Sequence, residues 1–409
     1  TLDECEELAS ELGAKDGFDL ACRFAGKTLP GVFRADDPVL ELTLAPESQV
    51  ELRRLLAGLK SEVFTADDSL GWTYQFWQAQ RKEEVNKSGK KIGAAELSPV
   101  TQLFTEDYMV EFLLHNTLGA WWAGKVAQAA RLHGPDEAAA RTAVALSPKN
   151  GAPGIKWSYL RFVQDDATKT WSPAAGTFAG WPRAAREITM LDPSMGSGHF
   201  LVFSLPLLVR LRIEEENLSA AAAVAAVLRD NLHGLELDER CTQIAAFNLA
   251  LAAWKLGGYQ PLPSLHLACS GLAPHATQAE WVALAADDEK LQRGMARLYK
   301  LFEDAPVLGS LINPRAGGGD LLTAGFDELR PLVEKALAPA TADDTAREMA
   351  VTARGLAKAA ELLAGQFTLV ATNVPYLGRG KQDDVLQDYC ERIYPDAKSD
   401  LATCFIERC

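Results

Sequence analysis

Two stretches of this chain carry residue types at spacings that could do chemistry. Asn373-Val374-Pro375-Tyr376 sets a carboxamide, main-chain carbonyls, a stiffened turn and an aromatic plane side by side. A conjugated amine is a poor nucleophile because its lone pair is delocalised. Two acceptors aimed at its hydrogens draw the nitrogen towards sp³ and free that pair. The Asn373 oxygen can supply one acceptor and a following carbonyl, such as that of Val374, the other. Pro375 stiffens the turn, and Tyr376 offers a face on which a planar base can stack.

The second stretch is Asp192-Pro193-Ser194-Met195-Gly196-Ser197-Gly198-His199-Phe200. Gly196 and Gly198 clear side chains from a loop that must pass a ligand closely, and they tolerate positive φ. A helix start behind them would present backbone amides. Asp192 could hold charged or hydroxyl groups beside that loop. Glu236, followed by Leu237, ends the next apolar run, where a doubly wound sheet places its ribose-binding acid. The interval exceeds the ~20 residues of a dinucleotide fingerprint, which disfavours a dehydrogenase. Taken alone, Asn-Val-Pro-Tyr reads as an Asn-initiated turn, whereas the glycine loop reads as more than an ordinary tight turn. His199 could be a general base, but no carboxylate partner is evident in the sequence. Gly196-Ser197-Gly198 lacks the Gly-x-Ser-x-Gly spacing of a nucleophile elbow, which excludes a serine hydrolase of that kind.

The elements that must hold these loops are legible as strands alternating with helices. Strands are expected at 188–191, 232–237, 265–269 and 367–371, and helices at 199–216, 219–229 and 238–256. Ser219 and Asp238 stand as helix caps. Thr105 reads as the cap of a helix running through Phe112. The aromatic segment from Trp72 to Trp77 reads as a helix buried by its large rings, and 82–91 as a surface loop. Residues 134–185 read as connecting structure. Residues 273–365 are mostly helical and longer than a simple crossover, so they read as an insertion. Functional loops at the carboxyl ends of strands describe an open α/β sheet with a ligand crevice.

Composition narrows the class further. The 409 residues are 48% hydrophobic and 23% charged, and no apolar run approaches the ~20 residues that span a bilayer. Seven scattered cysteines form no Cys-x-x-Cys pair, which argues against a zinc site and for reduced thiols. The net charge of −14, from 41 basic and 55 acidic residues, argues against strong DNA binding by this piece alone. A start without Met and an end straight after a helical segment suggest a fragment.

Together the two loops resemble the cofactor and catalytic loops of S-adenosylmethionine-dependent amino-methyltransferases, above all adenine-N6 DNA methyltransferases. The usual catalytic loop of that family is Asn-Pro-Pro-Tyr or Asp-Pro-Pro-Tyr. Val374 replaces the first proline but keeps the carbonyl. Phe104-Thr105 and the following helix resemble the upstream motif that packs over the cofactor's methionine end in the γ class. With Trp72-Thr73-Tyr74-Gln75-Phe76-Trp77, these features are similar to the PglX-like (BREX) and DISARM-type phage-defence methylases, relatives of type IIG restriction-modification enzymes. The resemblance covers about 70–272 and 367–409.

That resemblance implies an α/β, Rossmann-like class I methyltransferase core at 96–409, incomplete at its C-terminus, with a helical insertion over 273–365. A helical N-terminal domain at 1–95 would precede it. It implies S-adenosyl-L-methionine as cofactor, held by Phe104, Thr105, Asp192, Pro193, Ser194, Met195, Gly196, Gly198, His199, Phe200, Glu236 and Leu237. Asn373, Val374, Pro375 and Tyr376 would be catalytic. The acid or amide expected after the third strand to meet the cofactor's adenine is missing at Ser270-Gly271-Leu272, leaving Asp320 as the candidate. Double-stranded DNA and other defence proteins would be the partners of a cytoplasmic enzyme, with no metal and no membrane. Two alternatives stay open. A protein-glutamine or RNA amino-methyltransferase needs the same acceptors, and Val374 leaves room for a non-catalytic subunit that binds cofactor and DNA.

Overall fold

The computed structural model describes residues 2–29, 32–33, 42, 45–60, 62–63, 68–101, 105–285, 287–314 and 344–409. Phe104 and Asp320 lie outside the described residues. Chain contacts divide the molecule into residues 1–69 and 70–409. The first unit holds the helices Leu2–Ala9, Gly17–Thr28 and Pro46–Ala57. Residues 70–95, grouped with the N-terminal region in the sequence reading, pack within the second unit. There Ile92 bridges Gln382, and Val85 shares a core with Leu386.

The helix Ser69–Ser88 takes in most of the expected 82–91 loop. Lys87–Glu83 and Arg81–Glu84 ion pairs, four and three residues apart, support that extension. The rings on this helix are not all buried. Tyr74 is 5% exposed, but Phe76 and Trp77 are 72% and 75% exposed, because only the stripe through Gly71, Tyr74 and Val85 turns inward. Residues 134–185 are more regular than expected. They contain the helix Glu137–Val144 and an antiparallel hairpin of β1 (Phe162–Gln164) and β2 (Trp171–Pro173).

The main sheet is built from β3 (Met190–Asp192), β4 (Leu232–Glu236), β5 (His266–Cys269) and β6 (Leu369–Val370), at the expected places. All are parallel, in the order β5-β4-β3-β6. Strand side chains alternate between two cores, as period two demands. Met190, Leu232, Leu267 and Leu369 face one core, shared with the helices His199–Glu216, Ala220–Asp230 and Glu239–Gly257. Leu191, Leu235 and Ala268 face the other, under Glu289–Phe302, Asp344–Ala364 and Leu401–Arg408. The chain between β5 and β6 therefore does structural work, since its helices pack on that sheet face together with Leu401–Arg408. Among the described residues no helix is long and apolar enough to cross a membrane.

Candidate active site

The order of the strands creates the site. From β3 the chain proceeds outward to β4 and β5, then returns to pair β6 on the other side of β3. Loops diverge at such a reversal and leave a crevice at the carboxyl ends of the strands. The register is held by Ala371 N–H to the Leu191 carbonyl at 3.1 Å. It is held also by reciprocal bonds in which each of Thr189 and Thr368 donates its amide to the other's hydroxyl, at 3.2 and 3.1 Å. Asn373, two residues past Ala371, is thereby delivered beside the loop that follows β3.

That loop is wound tightly. The Ser194 amide donates to Asp192 Oδ1 at 3.1 Å, and Gly198 N–H donates to the Met195 carbonyl at 2.8 Å. Gly196 and Gly198 sit at φ +54° and +91°, the left-handed region that glycine alone enters freely. Their roles differ. Gly196 lines the cleft. A Cβ on Gly198 would stand 3.1 Å from the Ala245 Cβ of the neighbouring helix, so the bare glycine lets that helix approach the loop.

Two acids lie beneath the loop, both buried. Glu236 Oε2 accepts from the Gly196 amide at 2.7 Å, and its Oε1 accepts from the amides of Leu237 and Asp238 at 2.9 and 3.1 Å. Burial pushes its carboxyl up to about 7 against those three amides. Burial likewise pushes Asp192 up to about 7, with the Glu236 charge adding to the rise and the Thr372 hydroxyl and Ser194 amide opposing it. Asp192 Oδ2 and the nearby Thr372 hydroxyl are both buried with no partner at hydrogen-bonding distance among the described residues, and Asp192 itself does not line the cleft.

One cleft gathers Pro193, Ser194, Gly196, Glu236, Leu237, Asn373 and Pro375. Val374 packs towards the second core, and Tyr376 is 65% exposed beside the cleft-lining Pro375. Other expected contacts point elsewhere. Met195 and Phe200 are core residues. His199 is buried edge-on to Phe203, and its Nε2 lies 3.9 Å from Asp107 Oδ1, a carboxylate neighbour that the sequence did not reveal. Thr105 caps nothing, because the helix Asp107–Leu114 begins after Glu106 without a side-chain cap. The cleft encloses about 60 Å³, far below the ~300–1,000 Å³ of small-molecule sites, so its walls must part for a nucleoside-sized ligand. A larger cavity of about 420 Å³ lies behind Pro193 and Ser310, and neither Asn373 nor Glu236 lines it.

Several contributors had no signature in the sequence. Ser98 and Thr101 line the cleft from the helix Ala94–Thr101. The Ser98 hydroxyl and the Tyr74 hydroxyl donate to Asp238 Oδ2 at 2.8 and 3.0 Å. Asp238 Oδ1 meanwhile caps the helix Glu239–Gly257 through the Arg240 and Cys241 amides. Val307–Leu311 forms the opposite wall, with Leu401 and Phe405.

The parallel sheet with a glycine loop, a buried acid and a carboxamide around its switch-point crevice is a mixed α/β architecture of the kind that gathers ligand sites at the carboxyl ends of its strands. The chain is 27% identical, over 93% of its length, to the adenine-specific methyltransferase PglX of Lacticaseibacillus casei (strain Zhang). It is 25% identical, over 94% of its length, to the adenine-specific methyltransferase BrxX of Escherichia coli O9:H4 (strain HS). A shorter match, 29% identical over 31% of the chain, is to PglX of Streptomyces coelicolor. These findings bear out the resemblance to PglX-like BREX methylases. The chain spans about a third of the first two relatives, 30% and 32% of their lengths. No protein-family model matches it.

Proposed function

We propose that this chain is the S-adenosylmethionine-dependent, Rossmann-like catalytic core of a PglX-like adenine-N6 methyltransferase that acts on double-stranded DNA in phage defence. The observation that carries the reading is the shared cleft: Asn373 and Pro375 line it together with Gly196 and Glu236. An amine activated at Asn373 would meet a ligand seated on the glycine loop without any large rearrangement of the sheet.

The residues fit that cofactor. Asp192 Oδ2 is a buried acceptor without a partner, and its charge beneath the loop favours a cationic ligand. Three of the ~four lone-pair positions of Glu236 are taken by amides, leaving one for a sugar hydroxyl. When bound, the cofactor supplies an already activated methyl group. The protein's own tasks are therefore placement and activation. Asn373 accepts one amine hydrogen of the target base and a neighbouring carbonyl accepts the other. Tyr376, exposed at 65%, stacks a base flipped out of its duplex. Val374 keeps the carbonyl that the reaction needs.

The test is transfer of tritiated methyl from S-adenosylmethionine to DNA, tRNA and protein by the full-length enzyme. Label appearing as N6-methyladenine in digested DNA supports the proposal. Label in tRNA or in glutamine moves the substrate class, and cofactor binding without transfer marks a non-catalytic subunit.

A further inference from the structure

Asn373 hangs from a short tether. The last bond between β3 and β6 is Ala371 N–H to the Leu191 carbonyl at 3.1 Å. From Thr372 to Tyr376 the chain makes no backbone hydrogen bond among the described residues. It is fixed again at Leu377, whose carbonyl accepts from the Leu401 amide at 3.1 Å and from Gln382 Nε2 at 2.8 Å. The carboxamide assigned to amine activation therefore stands on a stretch that the sheet itself does not hold.

Thr372 opens that stretch, and its hydroxyl is buried without a partner at hydrogen-bonding distance, as is Asp192 Oδ2. Register brings the two residues together, because Leu191 pairs with Val370 and both chains run on in parallel from there. The Thr372 hydroxyl is the side-chain donor that favours the Asp192 anion. A lone donor and a lone acceptor buried side by side each forgo a hydrogen bond, and a small shift satisfies both. That shift gains most when the carboxyl is ionised, since a charge-assisted bond is the stronger kind. The other titratable groups that act on Asp192 are Glu236, on β4, and the Cys409 thiol, after the helix Leu401–Arg408. Neither belongs to the Asn373 tether.

We infer that Thr372 is a positioning residue, whose hydroxyl closes onto Asp192 Oδ2 when that carboxyl ionises and so holds the Asn373 carboxamide in the cleft. This rests on the methyltransferase reading above. It gives the acid beneath the glycine loop a second task, that of setting the catalytic loop. A cationic ligand that favours the ionised acid thereby also orders Asn373.

Thr372→Val keeps the shape of the side chain and removes the donor, whereas Thr372→Ser keeps the donor. In single-turnover methylation by the full-length enzyme, Thr372→Val should slow transfer about tenfold at neutral pH, the scale of one hydrogen bond. The acid limb of its pH profile should move up by about one pH unit, so part of the rate returns in alkali. Thr372→Ser should keep both close to wild type. Urea unfolding of the 409-residue chain gives a reading that needs no cofactor. Losing the donor raises the folded Asp192 carboxyl further, so the stability of Thr372→Val should go on falling above about pH 7, where the wild type levels off. Wild-type rates and unfolding curves in Thr372→Val overturn the assignment, and so does a slower rate with an unmoved acid limb. Absence of methyl transfer by the unmodified full-length enzyme overturns the methyltransferase reading instead, and the unfolding curves then still decide whether the pair forms.

Discussion

The Gly196 amide donates to Glu236 Oε2 at 2.7 Å, joining the loop after β3 to the tip of β4 across forty positions of sequence. One carboxylate thus holds both the glycine loop and the start of its own following turn, through the amides of Leu237 and Asp238. Glu236→Ala leaves three amides without their acceptor. Cofactor affinity should fall by about an order of magnitude, as expected for losing ~1.5–3 kcal/mol of charge-assisted hydrogen bonding. Calorimetry checks this, with Glu236→Gln expected to recover part of the loss.

A pH dependence follows from the same acids. Asp192 and Glu236 both carry carboxyls raised to about 7 in the fold, above the ordinary values of about 4. Between about pH 4 and 7 the folded state therefore holds protons that the unfolded chain releases. These two groups make stability fall as pH rises through that window. Urea unfolding at pH 5 and pH 7 should show the wild type losing more stability on alkalinisation than Asp192→Asn. Cofactor binding runs the other way, since a cationic ligand favours the ionised acids. Affinity should rise between pH 6 and 8.

Gly198 is expected to behave as a folding residue. A side chain there meets φ +91° and the Ala245 Cβ at 3.1 Å. The left-handed conformation alone costs a non-glycine residue ~1–2 kcal/mol. Gly198→Ala should therefore lower the unfolding free energy by at least that much. A variant with unchanged denaturant midpoint but lost ligand binding would return Gly198 to the ligand's side of the loop.

Asn373→Ala should depress turnover strongly and leave cofactor affinity nearly intact, because the carboxamide acts on the target amine in the transition state. Tyr376→Ala should lose about 1–3 kcal/mol of base stacking, and Tyr376→Phe almost none. Single-turnover methylation by the full-length enzyme separates these effects. Wild-type turnover in Asn373→Ala would make the loop structural.

Asp238 ties three helices together, accepting from Tyr74 and Ser98 on one oxygen and capping Glu239–Gly257 with the other. Asp238→Ala should cost about 1–2 kcal/mol from the cap alone, with a further loss from the two hydroxyls. Hydrogen exchange should then quicken in the segments 69–88 and 94–101 before it does in the sheet. Equal protection there in variant and wild type would show that the tie is incidental.

Much of this protein is legible in its residues because the signals are local. The β-prone runs ending in Asp192 and Glu236 name their strands, and Ser219 and Asp238 name their helix starts, since capping involves only neighbouring amides. Gly196 and Asn373 declare themselves by type and spacing. Tertiary structure alone decides what those residues face. Gly196 and Gly198 look equivalent in the chain, yet one borders the cleft and the other abuts Ala245, because the helix carrying Ala245 brings it back from forty-seven residues away. Phe76 and Trp77 read as core and are exposed, because one helix buries only one stripe. Ser310 carries no motif at all. Its place in the cleft depends on how a long connection folds back over β4.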